Sequence, residues 1–372
     1  MDVDYKALKN GGFMRQKQKN RFSLRLKVVG GNLTAEQIVV IAGAAKKYGD
    51  GHVHLTSRQG VEIPFVRLED VEAIKTELAE NGVLTGVCGP RVRTVTACQG
   101  DAVCPSGCID TYTLACEISD RYFGRELPHK FKFGVTGCVN NCLKAEENDL
   151  GVKGAYLVEW KKETCTFCGV CLKACREGAI TQEAASLTLN KDTCNNCGRC
   201  VKSCPFDAWK GRPGYILSFG GTFGNLIAKG EEVFPVIEDK KTLFRAADTA
   251  LDFFEKYGKA GERFRAAIER AGWDTFKEEM QKALPKDRLT MDGFEIDTAI
   301  DITGLVCPVT FVKAKAVLDE METGQVLSIR MNDGEPVRNV PRSLKDEGHQ
   351  ILKLTGNNDG TYNLIVRKEE EP

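Results

Sequence analysis

The sequence has little that would direct the chain to a membrane or to nucleic acid. Its 52 basic and 52 acidic residues cancel, so no general attraction to a phosphate backbone or an anionic lipid surface is expected. It has no apolar run long enough for a transmembrane helix, and its first twenty residues are too polar for a signal peptide. We therefore expect a cytoplasmic protein with no membrane insertion and no nucleic-acid partner.

Cysteine, by contrast, is abundant, with sixteen residues in a chain of 372. Such a number predicts either a disulfide framework or metal ligation. Disulfides mainly stabilise small secreted domains, whereas this chain is long and shows no visible secretion signal. Most of the cysteines are separated from the next by two or three residues, a spacing that suits thiolates around one metal centre. The sequence therefore favours metal ligation.

Hydrophobic periodicity predicts an α+β chain of several domains. A β-α-β-β-α unit comes first, and we expect Thr34 and Gln37 to form the capping box of its first helix. The elements of this unit are expected at 22–29, 33–48, 52–56, 61–66 and 68–80. Later strands are expected at 130–135, 151–160 and 215–221, and later helices at 238–257, 260–271 and 274–284. A charged linker at 285–295 then precedes a small β-α-β-α-β-β domain at 299–367.

An internal repeat lies in the middle of the chain. The segments CTFCGVCLKAC and CNNCGRCVKSCP both follow C-x2-C-x2-C-x3-C, and they resemble bacterial two-cluster ferredoxins. Three closely spaced cysteines bind three corners of one cubane, and the last cysteine of the other run binds the fourth corner. The predicted ligands of two 4Fe–4S clusters are Cys165, Cys168, Cys171 and Cys204 for one, and Cys194, Cys197, Cys200 and Cys175 for the other. Zinc, which also binds four thiolates, is the alternative.

A second group of cysteines precedes this repeat. Cys98 and Cys104 have a C-x5-C spacing, and Cys138 and Cys142 have a C-x3-C spacing. Two such pairs can supply four thiolates to one more cubane, although buried or zinc-binding cysteines would also fit the spacing.

Several motifs around these cysteines carry a family resemblance. They are LTSRQGVEI, LPHKFKFGV, TGCVNNC followed by AEENDLGV, and GGTFGN. Through them, residues 21–284 resemble the sirohaem-dependent sulfite and nitrite reductases, and the inserted ferredoxin resembles that of dissimilatory and anaerobic sulfite reductases. The resemblance implies that Cys98, Cys104, Cys138 and Cys142 bind a third 4Fe–4S cluster, and that Cys142 also bridges to the iron of a sirohaem.

The resemblance also implies a set of site residues. Those implied to contact the sirohaem are Thr56, Arg58, Gln59, Arg93, Asn141 and Cys142. Those implied to act in catalysis, by holding the anion and delivering protons, are Arg58, Arg93, Lys130 and Lys132. Without the resemblance, the same basic residues would be read as solvated surface charges. Lys130 and Lys132 alternate along the predicted strand and should share one face.

The implied α+β architecture has four parts before its last domain. They are a ferredoxin-like half domain at 1–85, a sirohaem and cluster domain at 86–160 and 211–284, an inserted ferredoxin at 161–210, and the linker. The implied activity is six-electron reduction of sulfite to sulfide, with electrons from an external protein donor. Nitrite reduction to ammonia and a non-catalytic electron-transfer or sulfur-relay protein are the alternatives.

The single copy of the reductase module has a consequence for assembly. Larger family members contain two copies, of which one supplies the cysteines and the other the basic residues. One copy in this chain therefore predicts a homodimer or a heteromer, with basic residues reaching across the interface.

The last domain, residues 296–372, contains IDITGLVCPVTFVKAK. Cys307 falls between a strand and a helix, where the helix dipole stabilises a thiolate. The domain resembles the TusA/SirA-like sulfur carriers, which implies that Cys307 carries reduced sulfur or passes it to a sulfur-acceptor protein. The family pattern is Cys-Pro-x-Pro, but Thr310 stands at the second proline. An inert docking or dimerisation module is the alternative.

Overall fold

The computed structural model describes residues 3–283, 289–291, 294–305, 309–357 and 359–369. The chain divides into two compact units, residues 1–284 and residues 285–372. Both units combine helices with β-sheets, which confirms the predicted α+β class. Within the described residues, no helix combines the length and the apolar character needed to cross a lipid bilayer.

The first part of unit 1 is a four-stranded antiparallel sheet with three helices. Its elements are α1 Tyr5–Asn10, β1 Phe13–Arg15, β2 Arg21–Arg25, α2 Ala35–Tyr48, β3 His54–Leu55, β4 Val61–Arg67 and α3 Val71–Glu80. The strands run in the order β1-β2-β4-β3. Thr34 and Gln37 form the expected capping box at the start of α2. Leu24, Ile63 and Ile74 are fully buried between the sheet and the helices.

Several boundaries in this part differ from the prediction. Helix α1 and strand β1 were not predicted. The strand expected at 22–29 ends at Arg25, because the chain then leaves the sheet: Leu26 forms a single bridge with Thr85, and a 3-10 turn follows at Val29–Gly31. The helix expected at 68–80 begins with a single 3-10 turn, and the α-helix starts at Val71.

The rest of unit 1 is a five-stranded sheet with an insert and covering helices. Its elements are β5 Thr96–Ala97, α4 Thr111–Tyr122, β6 Phe133–Thr136, β7 Leu150–Trp160, α5 Val170–Ala174, β8 Ile180–Glu183, β9 Ser186–Leu189, α6 Arg199–Ser203, β10 Trp209–Phe219, β11 Glu231–Glu232, α7 Lys240–Tyr257, α8 Phe264–Ala271 and α9 Trp273–Ala283. The strand order is β11-β10-β7-β6-β5. Phe131, Phe254, Phe264 and Phe276 are fully buried and form a chain of ring contacts.

The long antiparallel pair of β7 and β10 positions the insert. The two strands stay in register from Leu150 opposite Phe219 to Trp160 opposite Trp209. Residues 161–208 therefore leave and re-enter the sheet at the end of one β-ribbon. Within the insert, β8 and β9 form a small hairpin.

Unit 2 begins with two short strands that were not predicted, and from residue 298 onward it has the predicted β-α-β-α-β-β order. Its elements are β12 Leu289–Met291, β13 Phe294–Ile296, β14 Thr298–Asp301, α10 Val309–Asp319, β15 Val326–Asn332, α11 Glu335–Asp346, β16 Gln350–Gly356 and β17 Thr361–Arg367. The main sheet runs β14-β15-β17-β16, and only the β14–β15 pair in this described sheet is parallel. Strands β12 and β13 pair with each other, so part of the segment predicted as a linker at 285–295 forms regular structure.

Candidate functional site

A cleft of about 300 Å³ in unit 1 is lined by the four basic residues that were predicted to bind an anion. They are Arg58, Arg93, Lys130 and Lys132. The prediction put both lysines on a strand at 130–135, but β6 begins only at Phe133. Phe131 is fully buried between the two lysines, so the extended segment before β6 turns both lysines toward the cleft.

Backbone and amide oxygens hold the two arginines in place. Arg58 donates from Nη1 to the Asn148 side-chain oxygen at 2.7 Å, and Arg93 donates to the carbonyls of Val87 and Gly89, both at 2.9 Å. A guanidinium carries five N–H groups. Each arginine can therefore keep donors for a ligand while its orientation is fixed.

A fully buried carboxylate lies behind the cleft. Asp149 accepts from Arg263 Nη2 at 2.9 and 3.1 Å, and from the backbone N–H of Lys132 at 2.9 Å. Neither Asp149 nor Arg263 was predicted as a site residue. The two residues are far apart in sequence and meet only because α8 begins beside β7.

The cleft concentrates positive charge. Burial lowers the pKa of Arg58 to about 10, with Asp149 opposing this effect and Arg93 and Arg263 adding to it. Burial, followed by the charges of Arg58 and Arg263, lowers the pKa of Lys132 to about 8. Several cations that depress one another's pKa are stabilised when an anion binds among them.

Arg25 is a further basic residue of this cleft that the sequence reasoning missed. Its Nε lies 2.6 Å from Glu62 Oε1, and its Nη1 lies 3.4 Å from Cys88 Sγ. Arg25 alternates with apolar residues along β2, and this polar face of the strand was the available signal.

The other residues that were predicted to contact a sirohaem occupy different positions. Thr56 lines the cleft. The Gln59 amide is paired with the backbone of Ala97, donating to its oxygen at 2.8 Å and accepting from its nitrogen at 2.9 Å. Asn141 has a φ of 51°, and its side-chain oxygen accepts from the Ala145 N–H at 2.8 Å. Gln59 and Asn141 thus shape the backbone beside Cys98 and Cys142.

The first group of predicted cysteine ligands comes together in one place. This group, which we call the core set, is Cys98, Cys104, Cys138 and Cys142. Burial raises the pKa of Cys138, and the nearby sulfurs of the three other members raise it further, against a hydrogen bond from Asn140. The Gly137 N–H donates to Cys98 Sγ at 3.0 Å. Cys142 is the exposed member of the set.

The eight cysteines of the insert surround two cavities in the crossed arrangement that the repeat predicts. The outer insert set, around one cavity, is Cys165, Cys168, Cys171 and Cys204. The inner insert set, around the other, is Cys175, Cys194, Cys197 and Cys200. In each set, three cysteines come from one run of the repeat, and the fourth is the last cysteine of the other run.

Hydrogen-bond donors around these sulfurs fit iron-bound thiolates. Backbone N–H groups donate to Cys165, Cys175 and Cys204 at 3.3 to 3.4 Å. The indole N–H of Trp209 is buried with no oxygen or nitrogen partner in the described structure, and it lies beside Cys171. Such N–H groups stabilise the charge on cluster thiolates.

The cysteine sets are more open than a single-ion site. Among the described residues, no three histidine, cysteine, aspartate or glutamate side chains converge closely enough to hold one metal ion. Zinc draws four thiolates to about 2.3 Å from a single centre. The crossed sets and the N–H donors at their sulfurs fit cubane clusters.

Family comparisons agree with this geometry. The family model described as the nitrite and sulphite reductase 4Fe-4S domain matches residues 88–288, more than half of the chain. The chain belongs to the nitrite and sulphite reductase family. The ferredoxin-like half domain of nitrite and sulfite reductases matches residues 14–81, and the sulfurtransferase TusA family matches residues 298–368. The predicted family and the TusA-like last domain are thereby confirmed.

Curated relatives of this nitrite and sulphite reductase family member include archaeal and bacterial proteins. The coenzyme F420-dependent sulfite reductase of Methanocaldococcus jannaschii is 35% identical over 69% of this chain, which spans 42% of that protein. An uncharacterized protein of the same archaeon is 31% identical, over 74% of this chain and 96% of its own length. One subunit of the anaerobic sulfite reductase of Salmonella typhimurium is 28% identical, over 48% of this chain and 57% of that subunit.

Solved structures share the fold. Dissimilatory sulfite reductase I has a TM-score of 0.59 at 20% identity, with 74% of this chain and 73% of that chain covered. The NirA protein of Mycobacterium tuberculosis has a TM-score of 0.54 at 17% identity, with 75% and 47% covered. Both share the fold of about three quarters of this chain.

Proposed function

We propose that the protein reduces sulfite to sulfide with six electrons, at a sirohaem joined to a 4Fe–4S cluster. The observation that carries this proposal is the shared cleft of Arg58, Arg93, Lys130 and Lys132, in a chain that belongs to the nitrite and sulphite reductase family. Sulfite is a small oxyanion, and sirohaem carries several carboxylates, so both need concentrated positive charge.

The cysteines are the proposed ligands of three clusters. The core set would hold the cluster joined to the sirohaem, with the exposed Cys142 as the bridging sulfur. The two insert sets would hold one 4Fe–4S cluster each. When bound, these groups supply electrons one at a time to the sulfur atom of the substrate.

The side chains of the cleft have separate tasks in this proposal. Arg58 and Arg93, whose orientation is fixed by their oxygen partners, bind the anion through paired N–H donors. Lys132 has a pKa of about 8, so it holds a proton at neutral pH and can release it to an oxygen that leaves sulfur. Asp149 keeps this lysine and Arg263 in position.

We further propose that two copies of the chain complete the site, with the basic residues of one copy facing the core set of the other. Cys142 is exposed. Two residues further along the chain, Lys144 Nζ lies 5.7 Å from the centre of the Phe223 ring. Phe223, Leu226 and Ile227 are each more than half exposed. An apolar loop beside an exposed cluster cysteine is typical of a surface that a partner covers.

The electron donor is proposed to be an external protein that docks near the outer insert set. Cys168 is the exposed member of that set, so a bound centre there would lie near the surface. Free thiols and clusters of this kind persist in a reducing compartment, and we propose the cytoplasm as the location.

The test is an anaerobic purification of the full chain, followed by an optical spectrum, an iron count and turnover. We expect sirohaem absorbance, about twelve cluster irons and one sirohaem iron per chain, and sulfide formed from sulfite. The variant Arg58→Gln should keep the iron and lose most of the turnover. A colourless or zinc-containing protein would overturn the proposal.

Nitrite is the second candidate substrate, because the matched family covers both reductases. Nitrite is also a small oxyanion and would use the same cationic cleft. Turnover of the two anions by one preparation decides between them, and a higher kcat/KM for nitrite would reassign the substrate.

A sulfur-carrier role of Cys307 is proposed for the last domain. Cys307 lies outside the described residues, and its support is the match of residues 298–368 to the sulfurtransferase TusA family. A thiolate at the start of a helix should react with iodoacetamide faster than the same thiol in denaturant. If the two rates are equal in a protein whose clusters are intact, the reactive-thiol role is wrong.

A further inference from the structure

The insert docks on the loop that carries one of the core cysteines. Lys202, which lies between two cysteines of the insert, donates to the carbonyls of Pro105 at 2.8 Å and Gly107 at 2.6 Å. Tyr156 on β7 donates its N–H to the carbonyl of Asn196 at 2.8 Å. Lys202 thus holds the insert on the loop after Cys104, and Asn196, which lies between Cys194 and Cys197, holds the inner insert set beside β7.

Cys108 lies in the middle of this contact. It belongs to none of the three cysteine sets, and it is only 1% exposed. Its sulfur lies 3.6 Å from the Ser106 carbonyl and 3.9 Å from the carbonyl of Cys197, a member of the inner insert set. Its backbone N–H donates to the Gly137 carbonyl at 2.7 Å.

These contacts form a short continuous path. Gly137 is bonded directly to Cys138 of the core set. Cys108 therefore contacts the backbone of one proposed cluster ligand, Cys197, and the residue next to another, Cys138. Electron tunnelling in proteins is fastest through bonded and closely packed atoms, and a gap in the packing slows it. Among the described contacts between insert and core, this one joins the two cysteine sets with the fewest residues.

We propose that Cys108 is the contact through which electrons pass from the inner insert set to the core set, and that Lys202 is the positioning residue that keeps it closed. This inference rests on the proposed function. One electron leaves the centre held by the inner set and one arrives at the centre held by the core set. No bond forms or breaks, and the thiol proton stays on Cys108.

The order of the three centres follows from the same contact. The inner insert set faces the core, and the outer insert set holds the exposed Cys168. Electrons from a donor protein therefore enter at the outer set and reach the core set through the inner one.

The test uses the full-length protein, reduced with titanium(III) citrate, which leaves no sulfite behind, then freed of excess reductant and mixed anaerobically with sulfite. Freeze-quench EPR then follows the oxidation of the insert centres, which sulfite can reach only through the core. In Cys108→Ala we expect this oxidation to be about tenfold slower, equivalent to about 1.4 kcal/mol. The iron content and the first oxidation of the core centre should not change.

Three further variants make the result specific. Cys108→Ser keeps a small donor and should be close to the unmodified protein. Cys116→Ala removes another cysteine outside the three sets, on α4, and should have no effect. Lys202→Met should slow the same step without touching Cys108, which keeps the test valid if Cys108→Ala does not fold.

The outcomes separate this inference from the proposed function. Suppose that sulfite oxidises the core centre normally and that both Cys108→Ala and Lys202→Met contain the full amount of iron. If the insert centres of these variants are then oxidised at the rate of the unmodified protein, the Cys108 contact is not the path. If sulfite does not oxidise the core centre even in the unmodified protein, the proposed function is wrong, and this inference falls with it.

Discussion

Replacing Asp149 with asparagine should destabilise unit 1 and weaken the cationic cleft. The side chain is fully buried and accepts two bonds from Arg263 and one from the backbone of Lys132. Asparagine keeps an oxygen for the Lys132 N–H but leaves Arg263 without its counter-ion. Removing one partner of a buried ion pair costs about 3 to 5 kcal/mol. Because Arg263 is 24% exposed, and water can reach it, we expect about 3 kcal/mol.

Thermal unfolding of the anaerobic full-length protein measures this loss. For a unit of this size, 1 kcal/mol corresponds to about 2 °C, so Asp149→Asn should unfold about 6 °C lower. The control is Asp252→Asn, which removes one of the two carboxylate partners of Arg125, in an ion pair whose aspartate is 68% exposed. That variant should lose about 1 kcal/mol or less.

The same variant has a second readout in the cleft. Asp149 opposes the lowering of the Lys132 pKa, so its loss should move that pKa further below about 8. The pH at which sulfite affinity declines should then be lower in Asp149→Asn than in the unmodified protein. An unfolding temperature and a pH profile that both match the unmodified protein would refute the counter-ion role of Asp149.

Three further predictions concern the cleft, the insert and helix α2. The KM for sulfite should rise as the pH passes about 8, where Lys132 loses its proton; Lys132→Arg should move the rise to higher pH, and an unmoved profile would contradict the assignment. Because Cys175 shares a cavity with Cys194, Cys175→Ser should leave the same residual EPR signal as Cys194→Ser. If the signal of Cys175→Ser instead equals that of Cys165→Ser, the crossed grouping of the cysteines is wrong. Thr34→Ala removes the side-chain cap of α2 and should cost about 1 kcal/mol, or about 2 °C in Tm; an unchanged Tm would show that the cap is dispensable.

Features that depend on residues close in sequence could be predicted. Thr34 and Gln37 are three positions apart, so one turn of helix brings the capping partners together. The grouping of the insert cysteines could also be predicted, because a loop that binds three corners of one cubane cannot reach its fourth corner. The cavity shared by Cys175 and Cys194 follows from that constraint alone.

Features that depend on tertiary packing were missed. Arg25, Asp149 and Arg263 come from β2, the residue before β7 and the residue before α8, and no local pattern connects them. Helix α4 was missed for another reason, because its mixed composition hides its periodicity. The Asp110 side chain accepts from the Thr113 N–H at 3.0 Å, and this N-cap was a local signal that could have revealed α4.

The ribbon of β7 and β10 makes the insert separable from the rest of unit 1. Its last paired residues, Trp160 and Trp209, are direct neighbours across the ribbon, so a tight turn would be enough to close the sheet if everything between them were deleted. A different iron–sulfur domain can therefore be spliced in between Trp160 and Trp209 while the ribbon keeps its register.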